Sequence, residues 1–388
     1  MKSFIYDIPT KVYFGKNQLS NLGKEVKQYG SKVLLCYGGG SIKKMGLYDE
    51  VINYLKQAGL EIFELDRIQP NPRVDSVREG AKICKENKID VVLAVGGGSV
   101  IDCAKFIAAA NYYDGDAWDL STGKVFADQC LPLISILTLS ATGSEMDTGG
   151  VISNPETNEK LGAGSPAMRP KVSFLDPTLT YSVSEYQTAC GSVDIFSHII
   201  EVYFSLNPRL KMLDGVMEAL MKTVIEFAPI ALKNPSDYEA RANLMWTSSW
   251  AINGFVSNGS THAWSCHPME HELSAFYDIT HGLGLAILTP RWMEYTLNET
   301  TVDRFYQYGV NVFGIDPSLP KEEVAKKSIA CTSKFFFETL ELDSTLTKIG
   351  IDDSKFDIMA KKACKDSILQ GFQPLDQEDI KKIYQMCL

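Results

Sequence analysis

Ile89-Asp90-Val91-Val92-Leu93-Ala94-Val95 runs directly into Gly96-Gly97-Gly98-Ser99, and a helical pattern from Val100 to about Ala110 follows. An apolar run this short, ended by glycines, reads as a strand buried on both faces. The same grammar appears upstream. Lys32-Val33-Leu34-Leu35-Cys36-Tyr37 ends in Gly38-Gly39-Gly40-Ser41, and a helix pattern runs on to about Lys56. Further strands are expected at Glu61–Leu65 and Leu133–Leu137, with a helix near 75–86 between the first of these and Ile89. Strands alternating with helices predict a mostly parallel sheet covered on both faces. After Asp176-Pro177 the rhythm changes. Stretches at 182–204, 212–232, 238–255 and 321–340 all carry helical spacing, without a comparable strand series. The expected fold is therefore an α/β domain over 1–180 and an all-α domain over 181–388.

Composition is that of an ordinary globular chain: 388 residues, 45% hydrophobic and 22% charged. That length is too great for one core, which supports two domains. A net charge of −10 argues against nucleic acid or an anionic membrane as partner. The opening residues lack a signal-peptide apolar stretch, and no run approaches a membrane span. Nine cysteines without C-x-x-C pairs fit reduced core thiols, so a cytoplasmic protein is expected.

Both Gly-Gly-Gly-Ser segments occupy a strand-to-helix turn, where free N–H groups and the helix dipole can hold a phosphate. Neither is a G-x-G-x-x-G fingerprint, since Lys43 and Ile101 stand where glycine would be needed. The plain alternative is a pair of tight turns, with Ser99 and Asp102 forming a capping box. Two such loops at neighbouring strand ends favour a ligand, because ligands gather there. The turn Ser140-Ala141-Thr142-Gly143-Ser144 adds hydroxyls, and Lys160 could reach a phosphate or ribose, although a solvated lysine is the plainer reading.

Histidines are scarce and clustered: four of the five lie between 262 and 281. Asp194 and His198 stand four apart, on one helix face. Alone, such a pair is more often a surface contact. His267 and His281, with Asp194 and His198, would complete an oxygen/nitrogen set suited to a catalytic divalent ion. His267-x-x-Glu270-His271 also matches the inverted zinc-protease motif, with Glu270 as general base. Against that, Pro268 places His267 in or before an opening helical turn, and a protease has no use for two phosphate-type loops. His262 reads as a bystander, and His281 alone would read as a core histidine.

Taken together, Lys11-Val12-Tyr13-Phe14-Gly15, Gly96-Gly97-Gly98-Ser99-Val100-Ile101-Asp102-x-x-Lys105, Thr142-Gly143-Ser144-Glu145, Asp194-x-x-x-His198 and His267-x-x-x-His271 with His281 resemble the iron-containing (group III) alcohol dehydrogenase family, in its butanol dehydrogenase-like aldehyde reductase branch. The resemblance covers nearly the whole chain. It implies a dinucleotide-binding α/β domain, a helical domain, and a site in the cleft. It implies Asp194, His198, His267 and His281 as ligands of one Fe²⁺ or Zn²⁺, and His271 as a non-ligand proton relay. Gly38, Gly39, Gly40, Ser41, Gly97, Gly98, Ser99, Asp102, Thr138, Ser140, Thr142, Ser144 and Lys160 become the nicotinamide-cofactor contacts. The implied reaction is hydride transfer between NAD(P)H and a short-chain aldehyde or primary alcohol, in a homodimer. Two positions depart from the family pattern: Cys190-Gly191-Ser192-Val193 is less glycine-rich than usual, and Leu179 replaces a tyrosine of some relatives.

In this family an acid in the first loop disfavours the 2′-phosphate of NADP. Gly38–Lys44 has no acid and two lysines, so NADP(H) is expected ahead of NAD(H). Two other readings keep the fold or the ligands. A dehydroquinate synthase- or glycerol dehydrogenase-like enzyme would share the architecture, and a nucleotide sensor would share the loops without needing four metal-type residues.

Overall fold

In a computed structural model, described for residues 2–205, 210–261, 263–365 and 367–388, the apolar runs of the first half form one six-stranded parallel sheet. Its strands are β1 (Lys11–Phe14), β2 (Lys32–Tyr37), β3 (Glu61–Leu65), β4 (Val91–Gly96), β5 (Leu133–Leu137) and β8 (Val172–Leu175). A two-stranded antiparallel hairpin, β6 (Gly149–Asn154) with β7 (Glu159–Gly164), is separate from it. The sheet order is β1-β8-β5-β4-β2-β3. From β2 the chain goes to β3 on one side, then to β4 on the other. The carboxyl ends of β2 and β4 therefore flank a topological switch point, and both glycine loops leave from those two ends.

Both faces of the sheet are buried, which is why β2 and β4 read as unbroken apolar runs rather than alternating ones. On one face Val33, Leu35, Val91, Leu93 and Val95 pack with Leu22, Val26, Leu47, Val51 and Leu55 from two helices. Leu47, Val51 and Leu55 repeat every four residues along the helix Leu47–Gln57; full burial of each is worth about 1.5–3 kcal/mol. The single helix expected over 41–56 is broken. Ser41–Lys44 stops at Met45-Gly46, and Gly46 adopts φ +79° before the second helix begins.

Two compact units divide the chain. One is Asp7–Val183 with Ser248–Asn253; the other is Ser184–Thr247 with Gly254–Leu388 and the N-terminal residues up to Tyr6. The second unit is helical among the described residues, apart from one isolated bridge between Leu369 and Leu375. Its helix Glu185–Tyr203 packs against Lys211–Lys233 and His281–Thr296, and Cys266–Tyr277 packs on His281–Thr296. The stretch expected as one helix over 321–340 is α-helical to Lys334 and then widens into a π turn at Phe335–Thr339. No described helix is long and apolar enough to cross a membrane, and all nine cysteines are unpaired.

The helix that opens at Gly98 is locked to the β6–β7 hairpin by two buried charges. Asp102 accepts the Ser144 hydroxyl at 2.5 Å and the Val151 N–H at 2.8 Å. Asp102 is thus the anchor of the following loop and not half of a capping box with Ser99; the cap residue is Gly97. One turn on, Lys105 is fully buried and donates to the Gly149 carbonyl. Burial lowers its ammonium pKa and raises that of the Asp102 carboxyl, each against attraction between them; Asp147 and Glu145 also hold the lysine charge. Removing one partner of a buried charge set leaves the others uncompensated. Lys105→Met should therefore lower the stability of this unit by about 3 kcal/mol, read as an earlier chemical-denaturation midpoint; an unchanged midpoint would show that the lysine is not needed there.

Candidate metal centre and cofactor loops

Ser184 caps the helix Glu185–Tyr203, its hydroxyl accepting the Gln187 N–H at 3.2 Å. From Thr188 onward every residue of this helix is buried, so its polar residues are interior ones. Asp194, His198 and Glu201, at i, i+4 and i+7, lie along one stripe. His267 is the second residue of the helix Cys266–Tyr277, followed by Pro268 in the opening turn, and His281 is the first residue of His281–Thr296. Gly282 lets that last helix approach closely: a Cβ there would lie 2.0 Å from the Cys190 carbonyl oxygen.

Three imidazoles converge on one carboxylate oxygen. His281 Nε2 is 3.5 Å from Asp194 Oδ1, His198 Nε2 is 3.6 Å and His267 Nε2 is 3.8 Å. The His198 and His267 rings stack with centroids 4.8 Å apart, and the Trp264 indole meets His267 edge-on at 4.8 Å. Asp194 Oδ1 and His267 Nε2 are both buried yet have no hydrogen-bond partner. Two buried polar atoms left unsatisfied while facing each other need a third body between them. Asp194, His267 and His281 offer ligand atoms all within 4.8 Å of one another. The donor set, one carboxylate and imidazoles without a thiolate, fits Fe²⁺ or Zn²⁺ at a reactive site. Burial alone would raise the Asp194 carboxyl, but His198 and the other two imidazoles hold it well below the usual carboxylate range. Burial likewise opposes a charge on His267, yet Glu201 and Asp194 outweigh it and push the ring up to about 9.

Two carboxylates stand behind these rings: Glu201, which the sequence reading does not assign to the site, and Glu270, which it weighs only as the base of a protease motif. Glu201 accepts His267 Nδ1–H and also the N–H groups of Ser265, Cys266 (2.9 Å) and His267 (2.9 Å), so it terminates the Cys266–Tyr277 helix. Glu270 accepts His281 Nδ1–H and the Ser274 hydroxyl, the latter at 2.5 Å. A signal for Glu201 was present, since it falls one turn beyond His198. Glu270, His271 and His281 form a second close group, but Glu270 Oε2 is already bound to His281. Glu270 is fully buried, so it is a partner of His281 and not a base facing water. His271 is half-buried beside the cluster, its ring 5.8 Å from that of His281 and 6.4 Å from that of His267. His262 lies outside the described residues.

In the α/β unit the expected cofactor residues gather at the carboxyl ends of three adjacent strands. Gly38–Ser41 follows β2, Gly97–Ser99 follows β4, and Thr138, Ser140 and Thr142 follow β5. Gly98 is required by a close approach, since a Cβ would lie 2.3 Å from Thr142 Oγ1. Gly39 and Gly40 face open space. Ser144 is turned inward to Asp102. Lys160 is buried on β7, opposite Ser153. Beside the first loop, the Arg67 N–H donates to the Gly38 carbonyl at 3.3 Å, and the Lys43 ammonium sits 4.9 Å from the centre of the Tyr37 ring and 4.7 Å from that of Tyr48. Glu64 accepts both tyrosine hydroxyls.

Comparison with known proteins agrees with this architecture. The family model described as iron-containing alcohol dehydrogenase matches residues 9–177, and the model for the C-terminal part of the Fe-containing alcohol dehydrogenase family matches 188–388. The chain is 52% identical to NADH-dependent butanol dehydrogenase A of Clostridium acetobutylicum over 386 residues, 99% of each chain. It is 37% identical to the NADPH-dependent aldehyde reductase YqhD of Escherichia coli, over 93% of each. The crystal structure of NADH-dependent butanol dehydrogenase A from Thermotoga maritima superposes with a TM-score of 0.95 at 37% identity, covering 100% of this chain and 99% of that one. The chain belongs to the iron-containing alcohol dehydrogenase family.

Proposed function

We propose that this protein interconverts short-chain aldehydes and primary alcohols with NADP(H), using one Fe²⁺ held by Asp194, His198, His267 and His281. The observation that carries the reading is the convergence of three imidazole Nε2 atoms on a buried, otherwise unpartnered Asp194 oxygen. Zn²⁺ fits the same donors, and the family description favours iron. When bound, the cation supplies Lewis acidity at the substrate oxygen and the nicotinamide supplies or takes the hydride. The chain's own groups do the rest. Asp194 offsets part of the cation charge, and the indole of Trp264 lends the site an apolar wall suited to an alkyl substrate rather than a sugar phosphate. Lys105, a basic residue that a phosphorylated substrate would call on, is fully buried in the other unit, which argues against a dehydroquinate synthase-like reaction. Of the four proposed ligands His281 is the most accessible, with 22% of its side chain exposed. His271 stands on that side and is placed to pass the hydroxyl proton toward solvent.

NADP(H) is proposed over NAD(H) because the first loop has no carboxylate and has Lys43 beside it, with Glu64 occupied by two tyrosines. The relatives' names point both ways, NADH-dependent for the butanol dehydrogenases and NADPH-dependent for the aldehyde reductase.

Metal analysis of anaerobically purified protein, with NADPH oxidation followed across an aldehyde series, tests the whole reading. One iron per chain and turnover lost on chelation are expected; turnover surviving complete metal removal would end it. Catalytic efficiency should be higher with NADPH than with NADH, and Lys43→Ala should lower the NADPH value about tenfold, the scale of one charged contact, while leaving the NADH value nearly unchanged. Preference for NADH in the unaltered protein would overturn the cofactor assignment. His271→Ala should lower turnover by about 10²–10⁴-fold with metal content intact; loss of the metal would make His271 a ligand instead.

A further inference from the structure

We propose that Glu201 and Glu270 are a matched pair of positioning carboxylates that fix two of the metal-binding imidazoles and tune how tightly the ion is held; this rests on the metal reading above. The geometry is the same at both. His267 turns Nδ1 to Glu201 and Nε2 toward Asp194, and His281 turns Nδ1 to Glu270 and Nε2 toward the same Asp194 oxygen. A carboxylate can only accept, so each ring carries a proton on Nδ1, and Nε2 is the nitrogen left to give its lone pair to an ion. Each carboxylate is itself held. Glu201 takes three backbone N–H groups at the start of the Cys266–Tyr277 helix. Glu270 is gripped by the Ser274 hydroxyl at 2.5 Å, and Gly284 leaves room for it: a Cβ there would lie 2.9 Å from Glu270 Oε1. Both are buried, with Glu201 2% and Glu270 0% exposed, so neither can turn away to water.

Such partners do two things for a metal ligand. They remove the rotational and tautomeric freedom of the ring, and they raise the basicity of the coordinating nitrogen. Here they also set the charge. With Asp194 they place three carboxylates around a site meant for a dication, at the opening turns of two helices whose N-terminal ends disfavour cations.

Glu270 gives the cleaner test, because all partners of Glu201 are N–H donors and an amide NH₂ would clash with them. In Glu270→Gln the amide oxygen can still accept from His281, and the Ser274 hydroxyl can reverse to accept from the NH₂. Zn²⁺ affinity of metal-free protein would be measured by competition with a chromogenic chelator, with NADPH binding and thermal midpoint as checks of the fold. Glu270→Gln should weaken Zn²⁺ about tenfold and Glu270→Ala about a hundredfold, with NADPH binding unchanged. The visible spectrum of the Co²⁺-loaded protein should shift in both, a change in ligand field that a merely structural role would not produce. If the Glu270 variants fail to fold, Ser274→Ala keeps the carboxylate but frees it to turn, and should weaken Zn²⁺ in the same direction. Unaltered Zn²⁺ affinity in these variants, alongside loss of binding in His281→Ala, would overturn the positioning role while leaving the metal site standing. Unaltered affinity in His281→Ala and Asp194→Ala as well would overturn both.

Discussion

Two helix N-termini, each carrying roughly half a positive charge, open at the candidate metal centre, and buried carboxylates hold them there. Without Glu201 the first N–H groups of the Cys266–Tyr277 helix would be buried and unsatisfied. Glu270 takes the Nδ1–H of His281, at the first position of its own helix, and so holds that face of the ring. Asp194, Glu201 and Glu270 put buried negative charge around this place, as a dication there would require. Glu201, which lets the Cys266–Tyr277 helix start, also aims the His267 ring, so at that point helix capping and imidazole orientation are one arrangement.

The α/β unit solves its positioning problem in a parallel way. Its turns are irregular backbone, and what holds them is a short run of the Gly98–Ala110 helix. Asp102 takes an N–H and a hydroxyl from the next segment, and Lys105 gives to a carbonyl just beyond. Gly98 then allows Thr142 to close against the helix start. Charged residues act here as fasteners for loops, while the turns at the strand ends present glycine backbone and hydroxyls.

Much of this was legible in the sequence. β2 and β5 fall on the expected residues because full burial demands uninterrupted apolar character, which no surface element imitates; β3, the edge strand, also falls where expected although only its Leu65 is buried. Asp194, His198, His267 and His281 were legible because histidine is rare in this chain and the spacing is helical. The β6–β7 hairpin was not. Its strands carry glycines at 149, 150, 162 and 164 and charge at Glu159 and Lys160, so neither periodicity nor apolar content marks them. β8 is only four residues long and carries a serine that reaches the Glu145 carbonyl. The roles of Glu201 and Glu270 as partners of His267 and His281 were harder to read for a different reason: a glutamate at helical spacing normally faces water, and only the packing of other helices over Glu185–Tyr203 and Cys266–Tyr277 makes these two interior.

The discontinuity of the α/β unit bears on how the chain is made. Residues 248–253 belong to it although Ser184–Thr247 of the other unit intervene in the chain. Within that late segment the Ser249 hydroxyl serves Glu145, a fully buried carboxylate, and the Asn253 carbonyl serves the Arg169 guanidinium. A ribosome delivering this protein from its N-terminus therefore releases a sheet whose buried Glu145 and Arg169 still await those partners. The first unit can be completed only after the helices Glu185–Tyr203 and Lys211–Lys233 of the second have been synthesised, so its folding cannot finish when the ribosome passes Val183.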